Sequence, residues 1–320
     1  SYAILEGRGA IGGTWDLFRY PGIRSDSDML TLGFPFRPWP GSKLLADGPS
    51  ILQYVRDTAA AFGIDKKIRF HLEVRRADWA SERSRWRVEA VDTRSGATAL
   101  LECRFLYMCA GYYDYAEGYT PELPGRERFK GRIVHPQQWT PDVDYANKRV
   151  VVIGSGATAV TLVPELAKQA AHVTMLQRSP TYIMSIPAID PLAKWLPRGA
   201  ARWKSVMIAM AFYQWCRRSP ERAKRWIVEQ VKKQLPAGYD LSHFTPSYKP
   251  WDQRLCFVPD SDLFKAIHEG RAEVVTDHIE SFTETGLRLR SGTELPADLV
   301  VTATGLRLRF LGGLAVTIDG

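Results

Sequence analysis

The residues with the clearest chemical capacity are Gly154-Ser155-Gly156-Ala157-Thr158-Ala159. An expected strand, 148–153, whose last four residues are apolar, precedes them, and helix-compatible sequence follows to about Lys168. Glycines here permit a tight strand-to-helix turn, and the backbone N–H groups at such a helix start can hold a pyrophosphate. Gly154, Ser155, Gly156, Thr158 and Ala159 are the candidates for that contact. The next apolar run, 173–176, ends in Gln177-Arg178-Ser179 rather than in a carboxylate that would take a free ribose hydroxyl. A guanidinium at that place pairs with a 2′-phosphate, so Arg178, with Ser179 beside it, selects NADPH over NADH.

A second nucleotide signal lies near the start of the chain. Tyr2-Ala3-Ile4-Leu5-Glu6 is an apolar run closed by an acid, and Glu6 is placed to accept from ribose hydroxyls. Gly12-Gly13-Thr14-Trp15 and then Phe18-Arg19-Tyr20-Pro21-Gly22-Ile23-Arg24-Ser25-Asp26 crowd glycines, aromatics and charges together. Paired glycines let backbone approach a flat ligand closely. The run 106–111 ends in Ala110-Gly111, and Thr302-Ala303-Thr304-Gly305 echoes it; both read as strand ends where chain crosses between nucleotide domains. Two nucleotide halves in one chain imply hydride transfer from NADPH to a second cofactor, FAD. Cys103, Cys109, Cys216 and Cys256 form no CxxC pair, which excludes a dithiol reductase and leaves O2 as the electron acceptor; no metal is expected.

These residues need elements to hold them. At 320 residues about two domains are expected. Helical spacing marks 51–62, and short strands are expected at 68–70, 73–79, 86–91 and 99–105 as an antiparallel layer around a polar turn at 81–84. A strand at 106–111 and a loop over 112–128 follow. A helical insertion spans about 187–250, with Trp195, Trp203, Met207, Met210 and Tyr213 on one helix and 222–235 as another. Strands resume at 273–276, 287–289 and 297–304. The expected fold class is α/β with two dinucleotide-binding, Rossmann-like domains. Residues 1–140 are the FAD-binding domain, truncated at its N-terminus and including a linker at 129–139. Residues 141–296 bind NADPH, and 297–320 return to the first domain.

The net charge of +8 suits an anionic ligand or surface, and without a basic tail no nucleic-acid partner is expected. The basic stretch 222–235 is a candidate for peripheral membrane contact. No signal peptide is visible, and the longest apolar run, 206–213, falls far short of the roughly 20 residues that span a bilayer. A cytoplasmic location, peripherally membrane-associated at most, is the expectation.

Gly12-Gly13-x-Trp15-x4-Tyr20-Pro21-Gly22-x3-Asp26, together with Phe129-x-Gly131-x3-His135-x3-Trp139, resembles the paired fingerprints of flavoprotein Baeyer–Villiger monooxygenases. The resemblance runs essentially from Ser1 to Gly320. It implies FAD contacts at Gly13, Trp15 and Asp26, and a linker in which His135 fixes the chain through hydrogen bonds. It also implies that Arg254, in Trp251-Asp252-Gln253-Arg254, is the active-site arginine and Asp26 its partner carboxylate. The implied reaction inserts one atom of O2 beside a ketone carbonyl through a C4a-peroxyflavin, and extends to thioethers or thioamides. Related N- and S-hydroxylating flavin monooxygenases carry Tyr where this chain has Trp139, and they remain the alternative, as does a non-catalytic nucleotide-binding fragment. Thr140 departs from the family's usual Pro or Asp. Members also carry a first GxGxxG ahead of the position of Ser1 and further sequence beyond that of Gly320. The chain is therefore expected to be a fragment that binds FAD poorly; stoichiometric yellow flavin on the purified chain would overturn this.

Overall fold

The computed structural model describes residues 1–192 and 195–320. They form two compact units, each built from separated stretches. Ser1–Leu17, Pro49–Gly118 and Leu306–Gly320 make the first, and Phe18–Gly48 with Tyr119–Gly305 make the second.

In the first unit β1 (Ile4–Glu6) pairs in parallel with β2 (Ile68–Phe70). Helix α1 (Gly48–Ala61) buries Ile51, Tyr54, Thr58 and Ala59 of the stripe that its spacing predicts, and Leu52 besides, while Phe62 falls beyond the helix and is exposed. Strands β3 (Leu72–Ala80), β4 (Arg85–Asp92) and β5 (Thr98–Cys103) form the expected antiparallel layer. Ser84, at φ 47°, turns the first hairpin, and Trp79 faces Trp86 across it with ring centroids 5.5 Å apart. Two expectations fail here. Residues 106–111 are not a strand: no partner strand lies beside them among the described residues, and Tyr107 is exposed. Without a ladder to satisfy backbone groups, an apolar run does not become a strand. Conversely, the expected loop 112–128 contains β6 (Tyr113–Gly118).

The second unit is organised by a parallel sheet. Its strands are β7 (Arg132–Val134), β8 (Arg149–Ile153), β9 (His172–Gln177), β12 (Ala272–Thr276) and β16 (Leu299–Thr302), in the order β12-β9-β8-β16-β7. Side chains alternate between two cores, as strand geometry requires. Val150, Val152, Val173, Met175 and Val301 pack on one face with α2 (Ala157–Leu166), the crossover from β8 to β9. Val151, Ile153, Leu176 and Val300 pack on the other with the meander β13 (Ile279–Thr283), β14 (Gly286–Leu289) and β15 (Glu294–Pro296). A continuous apolar strand is what burial on both faces demands.

A separate parallel pair, β10 (Tyr182–Ile186) with β11 (Leu255–Pro259), brackets the helical insertion. The insertion holds α3 (Arg198–Arg218) and α4 (Pro220–Lys232), and α5 (Asp262–His268) follows β11. Trp195 lies in a turn before α3 rather than on it. Ala223, Ile227 and Val231 of α4 are buried at four-residue spacing, so the apolar stripe of the 222–235 stretch faces the core, while its basic residues reach solvent together with Trp226 and Glu229. Residues 193 and 194, inside the predicted insertion, lie outside the described residues.

The last strands return to the first unit: β17 (Leu306–Leu308) pairs with β6, and β18 (Ala315–Ile318) lies parallel to β3. The compact units thus run differently from the boundaries 1–140, 141–296 and 297–320. Phe18–Gly48 belongs to the second unit, residues 129–139 supply its edge strand, and the return begins at Leu306.

Candidate functional site

The glycine turn after β8 has the expected form, and its two glycines face different neighbours. Gly154 sits at φ 129°, and a Cβ there would collide with the carbonyl of Ala303 at the end of β16. Gly156 is the extended N-cap of α2, and a Cβ there would collide with Nη1 of Arg254. No side chain caps α2, so the N–H groups of its first turn are left for an anion. Ser155 Oγ lies 2.9 Å from Thr181 Oγ1. Thr158 bonds the hydroxyl of Tyr20, whose own proton is held more tightly because the ring is buried. Ala159 is fully buried, so it gives room for helix–sheet packing rather than a ligand surface. At the end of β9, Arg178 is exposed and makes no ion pair among the described residues, and Ser179 accepts from Ser155 Oγ at 3.4 Å. Gln177 is buried, with Nε2 donating to the carbonyl of His243 at 2.7 Å and to Thr276 Oγ1 at 2.8 Å.

Arg254 is anchored through its backbone. Its carbonyl accepts from Tyr248 Oη at 2.9 Å, and the carbonyl of Tyr248 accepts from Tyr182 Oη at 2.6 Å. Thr181 also bonds the Tyr248 hydroxyl, so hydroxyl groups connect Ser155 of the glycine turn to the backbone of Arg254. Asp26 does not pair with Arg254: its one described bond is a long one from Ser27 Oγ at 3.5 Å. Both charges instead act on the buried thiol of Cys256, where burial dominates and pushes the pKa up to about 11, against the pull of Arg254 and with that of Asp26. An ion pair that does form from this loop is Arg24 with Asp262 of α5, at 2.5 Å. A sequence separation of 238 residues gives no spacing by which it could have been anticipated.

In the first unit, Glu6 closes β1 as expected. One carboxylate oxygen takes the N–H of Arg8 at 2.9 Å, which leaves the other for a hydroxyl. Gly12 (φ 132°) and Gly13 (φ 52°) both need glycine backbone, and a Cβ on Gly12 would collide with Leu52 of α1. Trp15 is half-buried in the single helical turn Thr14–Leu17 that follows. This turn is held by residues not singled out from the sequence. Arg8 donates to the Gly13 carbonyl at 2.9 Å and to Asp16 at 2.6 Å, and Arg56 reaches the other oxygen of Asp16 at 3.0 Å. Tyr115 lies beneath the Arg8 guanidinium, 5.6 Å from its ring centre.

The linker residues are packing and hydrogen-bonding groups of the second unit. Phe129 meets Phe282 edge-on at 5.8 Å, and Trp139 meets Tyr145 at 6.1 Å. A Cβ on Gly131 would stand 2.5 Å from Phe129 Cζ and 2.6 Å from the Asp298 carbonyl, so the ring can fold back only over glycine. His135 is buried. Its Nδ1 accepts from the N–H of Gln137 at 3.1 Å, so Nε2 carries the proton and donates to the Gly305 carbonyl at 3.0 Å. Burial lowers its pKa despite that bond.

A parallel sheet with an uncapped helix at a glycine turn defines a dinucleotide-binding α/β protein. The chain belongs to the flavin-binding monooxygenase-like family, whose pattern it matches over residues 38–312. It is 57% identical to the FAD-containing monooxygenase EthA of Mycobacterium tuberculosis, covering 100% of this chain and 67% of that protein. Identity to the putative FAD-containing monooxygenase MymA of the same species is 52%, over 99% of this chain and 67% of the relative. Among solved structures, an oxidised steroid monooxygenase bound to NADP superposes with a TM-score of 0.77 at 24% identity, covering 98% of this chain and 68% of that one. A polycyclic ketone monooxygenase from Thermothelomyces thermophila gives 0.78 at 20% identity, covering 98% and 61%. These two likenesses establish the fold.

Proposed function

We propose that this chain is the nucleotide-binding part of an FAD- and NADPH-dependent Baeyer–Villiger monooxygenase that inserts oxygen beside a ketone carbonyl and also oxidises soft sulfur. The observation that carries the reading is the lodging of Arg254 against the Gly156 turn, with its backbone fixed by Tyr248. A guanidinium held there stays charged at every working pH.

The residues present suit both nucleotides. For NADPH, the uncapped start of α2 meets the pyrophosphate and the unpaired Arg178 meets the 2′-phosphate. For FAD, Glu6 keeps an oxygen for ribose, while Gly12 and Gly13 hold the backbone in conformations open to close approach. When bound, NADPH supplies hydride and FAD supplies the reductive activation of O2. Arg254 stabilises negative charge that develops on oxygen during attack on the carbonyl. Asp26, acting without a direct ion pair, tempers the field of Arg254 and contributes to holding the flavin. His135 moves no proton; it ties the linker to Gly305. Homology supports the same reading, since the relatives at 57% and 52% identity are named FAD-containing monooxygenases.

The test uses the full-length protein. NADPH-dependent O2 uptake should yield ester from a ketone, and Arg254→Ala should abolish the ester while leaving NADPH binding measurable. Uptake that gives only hydrogen peroxide with every ketone, or product from thioethers alone, overturns the Baeyer–Villiger assignment.

A further inference from the structure

Helix α3 is unusual for a water-soluble surface. Of its 21 residues only Ala201 and Cys216 are buried. Its middle, 206–213, is apolar at every position, and Trp203, Met207, Ile208 and Met210 each keep more than half of their surface in water. A helix that is apolar all round is ordinarily covered. Beside it Phe212, Tyr213, Trp215, Trp226 and Trp251 form one aromatic cluster with centroid distances of 5.6–6.5 Å.

The charge around this apolar surface is predominantly positive. Residues 198–233, which span α3 and α4, contain ten Lys and Arg and two Glu. Their net charge of +8 equals that of the whole chain, so the remainder is formally neutral. Arg198, Arg218, Arg222, Arg225, Lys232 and Lys233 are exposed and make no ion pair among the described residues. Lys204, Arg217 and Lys224, by contrast, are tied to Asp190, Asp252 and the Pro246 carbonyl.

We propose that the α3–α4 hairpin docks on an anionic lipid surface, with the apolar middle of α3 entering the headgroup boundary and the unpaired cations binding lipid phosphates. Tryptophan and tyrosine beside it suit that boundary. The apolar middle is about 12 Å long, against a hydrocarbon core of about 30 Å, so α3 lies on the bilayer and does not cross it. No helix of the described residues is long and apolar enough to cross. A second copy of the chain is the weaker occupant, because symmetric pairing would set +8 against +8. The docking element is thus α3, with α4 lending charge, since the apolar stripe of α4 is already buried.

Co-sedimentation of the full-length protein with vesicles tests this. Binding to equimolar phosphatidylglycerol and phosphatidylcholine is expected, with little binding to phosphatidylcholine alone and loss in high salt. Arg218→Glu/Arg222→Glu/Arg225→Glu should weaken binding by at least about a hundredfold, at roughly fivefold for each cation lost. Met207→Ser/Met210→Ser should also lose it, with both variants keeping the parent's melting curve and NADPH affinity. Three outcomes overturn the proposal: no sedimentation with either vesicle, equal binding to both by parent and charge-reversed protein, or a serine variant that dissolves a dimer in light scattering while leaving vesicle binding intact.

Discussion

Several side chains here have a geometry that turns directly into an expected measurement. Arg178 makes no ion pair among the described residues, so Arg178→Ala should raise the KM for NADPH by about 10- to 100-fold, the range of one lost charge-assisted contact, and leave that for NADH unchanged. Steady-state kinetics with both nucleotides checks this. Gly156→Ala places a methyl group against Arg254 and should cost at least as much in ester formation as it costs in NADPH affinity. Combined with Arg254→Ala, its effect on NADPH affinity should be less than additive, because the clash disappears with the guanidinium. His135 carries a pH dependence whose sign follows from its bonds. The unfolded ring titrates near 6.5 and the buried ring lower, so between those values the unfolded chain binds the extra proton. This stabilising contribution is whole above about pH 6.5 and drains away as pH falls through the window beneath it. Melting temperatures at pH 7.5 and 5 should therefore diverge more in the parent than in His135→Asn.

Elements were legible in proportion to how local their determinants are. The β8 strand, the glycine turn, the stripe of α1 and the β3–β4–β5 layer were all readable, because apolar period and turn residues specify them within a few positions. The fate of residues 106–111 was not readable, since a strand is decided by its neighbour and no neighbour is written in the run itself. β6 was missed for the same reason: its partner, β17, starts almost two hundred residues later. In the candidate site, the turn at Gly154 and Gly156 and the place of Arg178 at the end of β9 were marked by their own spacing. The ties Arg24–Asp262, Arg8–Asp16–Arg56 and Tyr248–Arg254 are tertiary and left no periodic trace. The edge strand β7 explains why the fingerprint around it has its spacing: Phe129, Gly131, His135 and Trp139 each lock one end of that strand to the second unit. Gly131→Ala should destabilise this unit by about 1–3 kcal/mol through overpacking, visible in denaturant melts of the purified chain.

Across the whole molecule, the path of the chain matters as much as its parts. It passes from one unit to the other at 17/18, 48/49, 118/119 and 305/306, and the second unit is closed by Gly305. The first unit still waits at that point for β17 and β18, whose partners β6 and β3 were laid down far earlier. Pairings so distant in sequence form slowly. On the ribosome, then, the second unit can settle while the first stays an open sheet, with the outer edge of β3 exposed until residues 315–318 emerge. Pulse-labelled hydrogen exchange should find the amides of β8 and β9 protected before those of β3. A stalled chain ending near 305 should recruit chaperones through that uncovered edge, and one that extends past 318 should release them.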